Sequence, residues 1–305
     1  MIGCDLLRDL KMYKLPKTLF REFIDDVIMI DTINLPDRSV LEKVEIYLGD
    51  RITTDIIKHM PNLKWIHLTC VGFDKLMDLD RDDIIITNSK GVMDDSIIST
   101  ILAFMFSLSR NLHRCVKNKI DRCEFDTHFN EIQTVIGQKC LIVGMGNIGN
   151  KLKAICESMG MGVIGMTRKT NNSLKELVSE ADFVVNLLPY TNETREIFDM
   201  DVFNSMKKNG FFINVGRGGT VVEKDLIKAL TVGVIAGAGL DVFENEPLPE
   251  DSELWDIENV ILTPHIAGLS QNYWNKEYDL FKENYNRYIN LEKMINKVDI
   301  GDMND

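Results

Sequence analysis

Along most of the chain, short apolar runs alternate with stretches whose apolar positions recur at helical spacing. Val44–Leu48, Leu63–Leu68 and Ile84–Thr87 are runs of strand length, and Thr54–His59 between them reads as a short helix stopped before Pro61. Farther on, Cys140–Val143 predicts a strand. Ile148, Leu152, Ile155, Cys156 and Met159 then predict a helix, with Gly160 placed as its C-terminal cap. Further strands are predicted at Val163–Met166, Phe183–Leu188, Phe211–Val215, Ala238–Val242 and Val260–Thr263, most of them separated by helical segments such as Lys224–Leu230. Such alternation builds parallel sheets with right-handed crossovers, which places the chain in the α/β class. Two longer stripes stand apart. Ile97, Ile98, Ile101, Leu102, Met105 and Phe106 follow Asp94 and Asp95, read as N-caps; Trp274, Tyr278, Phe281, Tyr285, Tyr288 and Ile289 lie near the end. Core packing accounts for both. The first is apolar enough to serve a domain junction or subunit interface as well.

A length of 305 residues suggests about two domains. With 35 basic and 47 acidic residues the formal net charge is −12. That balance lacks the footprint of a nucleic-acid or anionic-membrane binder, although a local basic pocket could still hold a small anion. The densest apolar stretch, Ile97–Leu108, is short and interrupted by Ser99, Thr100 and Ser107, so no membrane span is expected. Asp5, Arg8 and Asp9 occupy the place of a signal peptide's apolar region, and a cytoplasmic address is expected. Cys4, Cys70, Cys115, Cys123, Cys140 and Cys156 form no C-x-x-C pair. They are expected to be small buried hydrophobes, with no metal site.

Gly144-Met145-Gly146-Asn147-Ile148-Gly149 follows a predicted strand and opens a predicted helix. That context turns a weak G-x-G-x-x-G pattern into a dinucleotide loop. The first glycine permits a tight turn, the second lets the backbone approach a pyrophosphate, and the third lets helix and strand pack closely. The helix N-terminus then offers N–H groups and a positive dipole end to the phosphates. The next strand ends not in the usual ribose-binding carboxylate but in Thr167-Arg168-Lys169. A hydroxyl and two cations there favour the 2′-phosphate of NADP(H), and NAD(H) remains possible if Arg168 and Lys169 are only solvated loop charges.

Three later segments each begin at a predicted strand end: Asn214–Thr220 with Arg217, Gly239–Pro249 with Asp241 and Glu246, and Thr263–Gly268 with His265. In a doubly wound sheet such ends converge on one crevice beside the cofactor. Taken singly, Arg217 could cap a turn, Glu246 could be a solvated loop carboxylate and His265 a buried structural histidine. Together, beside a dinucleotide loop, they favour function.

The phosphate loop and these three segments are similar to the D-isomer-specific 2-hydroxyacid dehydrogenases. So are Leu187–Thr194, Lys64–Ile66, Thr87–Val92 and Leu254–Asp256. The resemblance runs over about residues 60 to 290 and is weakest over the first 45. The separations Arg217 to Glu246 (29) and Glu246 to His265 (19) resemble the compact branch that contains glyoxylate/hydroxypyruvate reductases.

The resemblance implies two doubly wound parallel-sheet domains, a Rossmann cofactor domain (94–271) inserted into a flavodoxin-like substrate domain (1–93 with 272–305), with a cleft that can hinge shut. It implies a reaction in which a nicotinamide gives hydride to C2 of a small 2-oxo acid. His265 would donate the proton, Glu246 would orient His265 through the other ring nitrogen and raise its pKa, and Arg217 would bind the substrate's carboxylate and carbonyl. Backbone N–H groups near Val71 and Gly72 would grip the carboxylate. Cofactor contacts would come from Gly144, Gly146, Asn147, Ile148, Gly149, Thr167, Arg168, Lys169, Leu188, Pro189, Thr194, Val215, Gly216, Arg217, Asp241, His265 and Gly268. A homodimer through the helix at 97–110 is implied, and no metal. The chain departs from the family at Ser99, where a Glu is frequent, and it ends too early for the regulatory domain of long phosphoglycerate dehydrogenases. Alternatives are an NAD-dependent dehydrogenase of a bulkier D-2-hydroxy acid or of 3-phosphoglycerate, and a non-catalytic dinucleotide sensor.

Overall fold

The computed structural model describes residues 2–5, 27–30, 32, 34–76, 78–117 and 132–298. In chain order the first elements are β1 (Ile2–Asp5), β2 (Val27–Ile30), α1 (Arg38–Leu41), β3 (Ile46–Leu48), α2 (Thr54–Ile57), β4 (Trp65–Leu68) and β5 (Ile85–Asn88). Then come α3 (Asp94–Ser109), α4 (Leu112–Lys117), β6 (Lys139–Val143), α5 (Asn147–Ser158), β7 (Gly162–Met166), α6 (Leu174–Glu180) and β8 (Phe183–Asn186). The last are α7 (Met200–Ser205), β9 (Phe211–Asn214), α8 (Glu223–Thr231), β10 (Gly237–Leu240), β11 (Val260–Leu262) and α9 (Tyr273–Ile289). The chain divides into two compact units, Met1–Met93 with Ser270–Asp305, and Asp94–Leu269.

The first unit holds a parallel sheet in the order β2-β1-β3-β4-β5. This is the 2-1-3-4-5 order of flavodoxin-like folds. Alternate strand residues face opposite ways and feed two cores. Tyr47, Ile66, Leu68 and Ile86 pack with Leu41 of α1 and Ile56 and Ile57 of α2. Ile46, Leu48 and Trp65 pack with Phe281 of α9. The Trp65 ring stacks on Phe281 and Tyr288 at 5.2 and 5.4 Å between centroids. Burying each large apolar side chain of this kind stabilises by roughly 1.5–3 kcal/mol, which is what docks α9 on the sheet.

The second unit is a six-stranded parallel sheet in the order β11-β10-β9-β8-β6-β7. Counted from β6 the order is 2-1-3-4-5-6, not the usual 3-2-1-4-5-6, because after β7 the chain returns through α6 to β8 without adding an outer strand among the described residues. One face carries Leu141, Val143, Val184, Phe212 and Leu240 against α6, α7 and α8. The other carries Cys140, Ile142, Phe183, Val185 and Ile213 against α3 and α5. Strands covered on both faces read as continuous apolar runs, which is why they were legible in the sequence. β6 lies between β7 and β8, so the winding reverses direction there, and ligands bind at such a switch point beyond the strand C-termini.

Several expectations shift. Asp94 and Asp95 are not N-caps but the first helical residues of α3. In the α9 stripe the buried positions are Tyr273, Glu277, Phe281 and Asn284, whereas Ile289 is exposed. The apolar periodicity missed this because polar Glu277 and Asn284 find partners inside the core, Glu277 Oε1 at His67 and Asn284 at Ile295. Phe106 on α3 is likewise exposed. Cys140 and Cys156 are buried as expected, but Cys70 is only partly buried and Cys115 is exposed. Cys123 lies outside the described residues. Strand β8 ends at Asn186 rather than at 188, because Leu188 N–H turns back onto the Asn186 side chain. Among the described residues no helix is long and apolar enough to cross a membrane.

Candidate active site

Gly144 joins β6 to α5 with φ +109°, a conformation that L side chains rarely adopt. A Cβ on Gly149 would lie 2.4 Å from the Gly144 carbonyl, so the third glycine is fixed by close packing. A Cβ on Gly146 would meet nothing within 4 Å. Gly146 is also the N-cap of α5 and has no side chain to cap it, which leaves the first-turn N–H groups of Asn147, Ile148 and Gly149 for another acceptor. A tight turn, a close-packed glycine and an uncapped twelve-residue helix fit a dinucleotide pyrophosphate.

The Asn147 side chain does not itself point to an open site. Its Nδ2 donates to the buried Asp94 carboxylate, which also binds Lys151 Nζ at 2.9 Å. Asp94 therefore anchors the start of α5 to the start of α3, a role the N-cap expectation missed.

Thr167, Arg168 and Lys169 follow β7 and are all exposed. Thr167 Oγ1 accepts the Lys169 N–H at 3.2 Å, shaping the turn. Arg168 Nε lies 3.5 Å from Glu193 Oε2, in the loop after β8. The strand end carries no carboxylate of its own, yet the fold brings one to it.

The loops after β8 and β9 press together: a Cβ on Gly216 would lie 2.7 Å from the Leu188 carbonyl. Asn186 and Asn214 end these two strands in register. Asn186 Nδ2 donates to Asn214 Oδ1 (3.0 Å) and Thr220 Oγ1 (2.7 Å), and Asn214 Nδ2 and Thr220 Oγ1 both donate to the Arg217 carbonyl, at 3.3 and 2.6 Å. Asn214 Oδ1 also accepts the Gly216 N–H at 3.1 Å. This buried network sets the backbone of Arg217. Its signal in the sequence was two apolar strands each ending in Asn. Thr194, expected at the cofactor, is buried and donates to the Pro189 carbonyl at 2.6 Å, so its hydroxyl holds the 189–194 loop. Leu188 and Val215 flank the same loops, half-buried and buried respectively.

Arg217, Glu246 and His265 follow β9, β10 and β11, three adjacent strands. The Arg217 and Glu246 loops meet at Gly218, where any Cβ would overlap the Phe243 carbonyl at 1.8 Å. Glu246 Oε1 accepts the Phe243 N–H at 3.0 Å, and Oε2 pairs with His265 Nδ1 at 2.6 Å. With Nδ1–H donated to the carboxylate, Nε2 is the ring nitrogen outside the pair. Burial pushes the Glu246 pKa up, but the hydrogen bonds from His265 and Phe243 and the positive charges of His265 and Arg217 outweigh it, so it lies below the ordinary value.

His265 sits in the left-handed region at φ +54°. Strain of this kind persists only where the surroundings impose it. Here Asp241 imposes it. Its carbonyl accepts the His265 N–H at 2.8 Å. Oδ1 accepts Thr263 Oγ1 (2.5 Å) and the Ile266 N–H (2.9 Å), and Oδ2 accepts the Ala267 N–H (2.9 Å). Burial raises the Asp241 pKa against these bonds. Gly268 continues the same turn. Val71 and Gly72 belong to the other unit, in the loop after β4. Among the described residues no group of three or more His, Cys, Asp or Glu could hold a metal ion.

The profile of the D-isomer specific 2-hydroxyacid dehydrogenase NAD binding domain matches residues 102–267. Glyoxylate/hydroxypyruvate reductase B of Escherichia fergusonii is 31% identical over 280 residues, covering 84% of this chain and 86% of that protein. A probable 2-ketogluconate reductase of Dictyostelium discoideum is 33% identical over 239 residues, covering 71% of this chain and 70% of its own. The D-isomer specific 2-hydroxyacid dehydrogenase of Xanthobacter autotrophicus Py2, solved with NADPH and MES, superposes with a TM-score of 0.82 at 26% identity, over 99% of this chain and 98% of that one. A dinucleotide loop at the switch point and an arginine, glutamate and histidine on three neighbouring strand ends thus accompany a match over more than half the chain: the protein belongs to the D-isomer specific 2-hydroxyacid dehydrogenase family and is an NAD(P)-dependent oxidoreductase.

Proposed function

We propose that the protein reduces a small 2-oxo acid of the glyoxylate or hydroxypyruvate type to the D-2-hydroxy acid, with NADPH preferred. The observation that carries this reading is the His265–Glu246 pair at 2.6 Å beside Arg217. When bound, the nicotinamide supplies the hydride to C2. His265 Nε2 gives its proton to the carbonyl oxygen while Nδ1–H stays on Glu246, so the ring keeps its orientation through the step. The Arg217 guanidinium binds the carboxylate and carbonyl as a two-point fork. The N–H groups of Val71 and Gly72 are assigned to the substrate carboxylate as well.

NADPH preference is supported by Arg168 and Lys169 and by the absence of a carboxylate at the end of β7. NAD(H) would serve less well. The NADPH-bound relative from Xanthobacter points the same way. We assign unit Met1–Met93 with Ser270–Asp305 to substrate and Asp94–Leu269 to cofactor. Phe106, Leu112 and Val116, exposed at 40%, 49% and 71% on α3 and α4, are assigned to a homodimer contact. The address is cytoplasmic.

The test is a panel of glyoxylate, hydroxypyruvate and 2-ketogluconate with NADPH and with NADH, followed by the absorbance of the reduced nicotinamide. Turnover of a 2-oxo acid with higher kcat/KM for NADPH is expected. Nucleotide binding with no turnover on any acid would make the protein a sensor instead. In Arg168→Ala the NADPH advantage should fall roughly tenfold, the worth of one charge-assisted hydrogen bond to phosphate. Sedimentation of the wild type and of Val116→Asp tests the dimer.

A further inference from the structure

Beyond β4 the chain turns its carbonyls inward, one after another. Leu68 O accepts Ser89 Oγ at 2.7 Å, and Thr69 O accepts the Tyr273 hydroxyl. Cys70 O accepts the Ser89 N–H at 3.1 Å, Val71 O accepts Asn88 Nδ2 at 2.9 Å, and Gly72 O accepts the Cys70 thiol at 3.1 Å. Five consecutive carbonyls are engaged. The N–H groups of Val71 and Gly72 have no hydrogen-bond partner among the described residues. Two successive backbone N–H groups without an internal partner are donors open to an anion.

The side chains that hold the carbonyls are themselves fixed. Asn88 ends β5; its N–H donates to the Asn296 carbonyl at 3.1 Å, its carbonyl accepts Asn296 Nδ2 at 3.2 Å, and its Oδ1 accepts the Lys90 N–H at 3.2 Å. Tyr273 opens α9 and is 5% exposed. One turn on, Glu277 Oε1 meets His67 Nε2 of β4 at 2.9 Å, which locks the register of α9 against the strand that carries the loop.

We propose that Asn88 and Tyr273 are positioning residues for the substrate: by holding the carbonyls of Val71 and Thr69 they preset the Val71 and Gly72 N–H groups as a carboxylate-binding site. The proposal rests on the reading above that these N–H groups grip the 2-oxo acid. Neither side chain touches substrate. Each removes in advance the ordering that a slack loop would undergo on binding, and such pre-organisation shows as affinity.

The test compares Tyr273→Phe and Asn88→Ala with the wild type, using glyoxylate and NADPH. Each variant should raise KM for glyoxylate about tenfold, with kcat held within about twofold and KM for NADPH unchanged. Asn284→Ala serves as a control: it breaks bonds to Ile295 in the same unit, away from the loop. It should lower Tm and leave KM alone. If it raises KM for glyoxylate as much as the other two, the effect is general loosening and the proposal is overturned. Val71→Pro deletes one of the N–H groups and tests the underlying reading. If it leaves KM for glyoxylate unchanged, the carboxylate grip falls and the proposal with it. If it raises KM while Tyr273→Phe and Asn88→Ala do not, the grip stands and the proposal alone fails. Should Tyr273→Phe not fold, Asn88→Ala decides.

Discussion

Among the described residues two histidine–glutamate pairs occur, one in each unit, with nearly the same contact. His265 Nδ1 lies 2.6 Å from Glu246 Oε2, and His67 Nε2 lies 2.9 Å from Glu277 Oε1. Their surroundings differ. The first pair stands on two loops at strand ends, with side chains 51% and 34% exposed; in the second both are 0% exposed, between β4 and α9. His265 uses one nitrogen within its pair. His67 uses both, because Thr87 Oγ1 sits 2.7 Å from Nδ1 and itself accepts the Trp65 indole N–H at 2.9 Å. Glu246 has both oxygens engaged, whereas Glu277 Oε2 has no partner among the described residues. The pair is therefore not the functional unit. On the function proposed above, a second ring nitrogen in reach of a reactant would make the first an acid–base group, whereas the same pair sealed in a core fixes the register of a helix.

The largest expected difference lies between the two histidine sites. His265→Ala should lower kcat by about 10³-fold, within the range of a positioned general acid, with unfolding stability nearly unchanged because the side chain is half exposed. Glu277→Ala should do the reverse. Breaking a buried pair destabilises by about 3–5 kcal/mol, while kcat of the folded fraction stays within about tenfold of wild type. Urea midpoints and kcat on both variants measure this. If Glu277→Ala lost turnover as completely as His265→Ala at full stability, the division into a chemical and a structural pair would collapse.

The first pair was readable in the sequence and the second was not, for a physical reason. His265 and Glu246 follow apolar runs that end abruptly, and a parallel sheet must bring such ends to one edge. The glycine loop and the strands of the second unit announced themselves for the same reason. His67 sits inside the run Trp65-Ile66-His67-Leu68, and Glu277 sits within an aromatic stripe, where a polar residue reads as the solvent face. Only their mutual contact across 210 positions explains either. The supports of the site were hidden likewise. Asn186, Asn214, Asp241 and Asp94 are buried polar residues whose partners come from other elements. β1 and β2 lie in the first 45 residues, where the family resemblance is weakest, and neither strand was expected.

A smaller effect is expected at Arg217, whose charge acts on Glu246 and so belongs to the exposed pair's surroundings. Arg217→Lys keeps the charge and loses the planar fork. One charge-assisted hydrogen bond is worth about 1.5–3 kcal/mol, so kcat/KM should fall roughly tenfold to a hundredfold. The fall should fall mainly on KM for the 2-oxo acid, with NADPH binding little changed. Unchanged constants in steady-state assays would reduce Arg217 to a turn residue and leave the His265–Glu246 pair without its substrate anchor.

The smallest effect concerns acid stability. The Glu246 carboxyl is held below its ordinary value of 4.5: burial alone would raise it, but the bonds from His265 and Phe243 and the nearby positive charges prevail. A carboxylate whose pKa is depressed on folding adds stability above its unfolded pKa, and that stability is lost as the pH falls through the folded pKa. The stability difference between wild type and Glu246→Gln should therefore shrink as the pH falls below the ordinary carboxyl value and the wild-type carboxylate takes up its proton. With a third of the side chain in solvent, screening keeps the whole difference small. Urea midpoints of the two proteins at a near-neutral and an acid pH give the result. A difference that grew on acidification would mean that folding raises the Glu246 pKa, and the exposed pair would then resemble a desolvated carboxyl rather than an ion held ready beside its histidine.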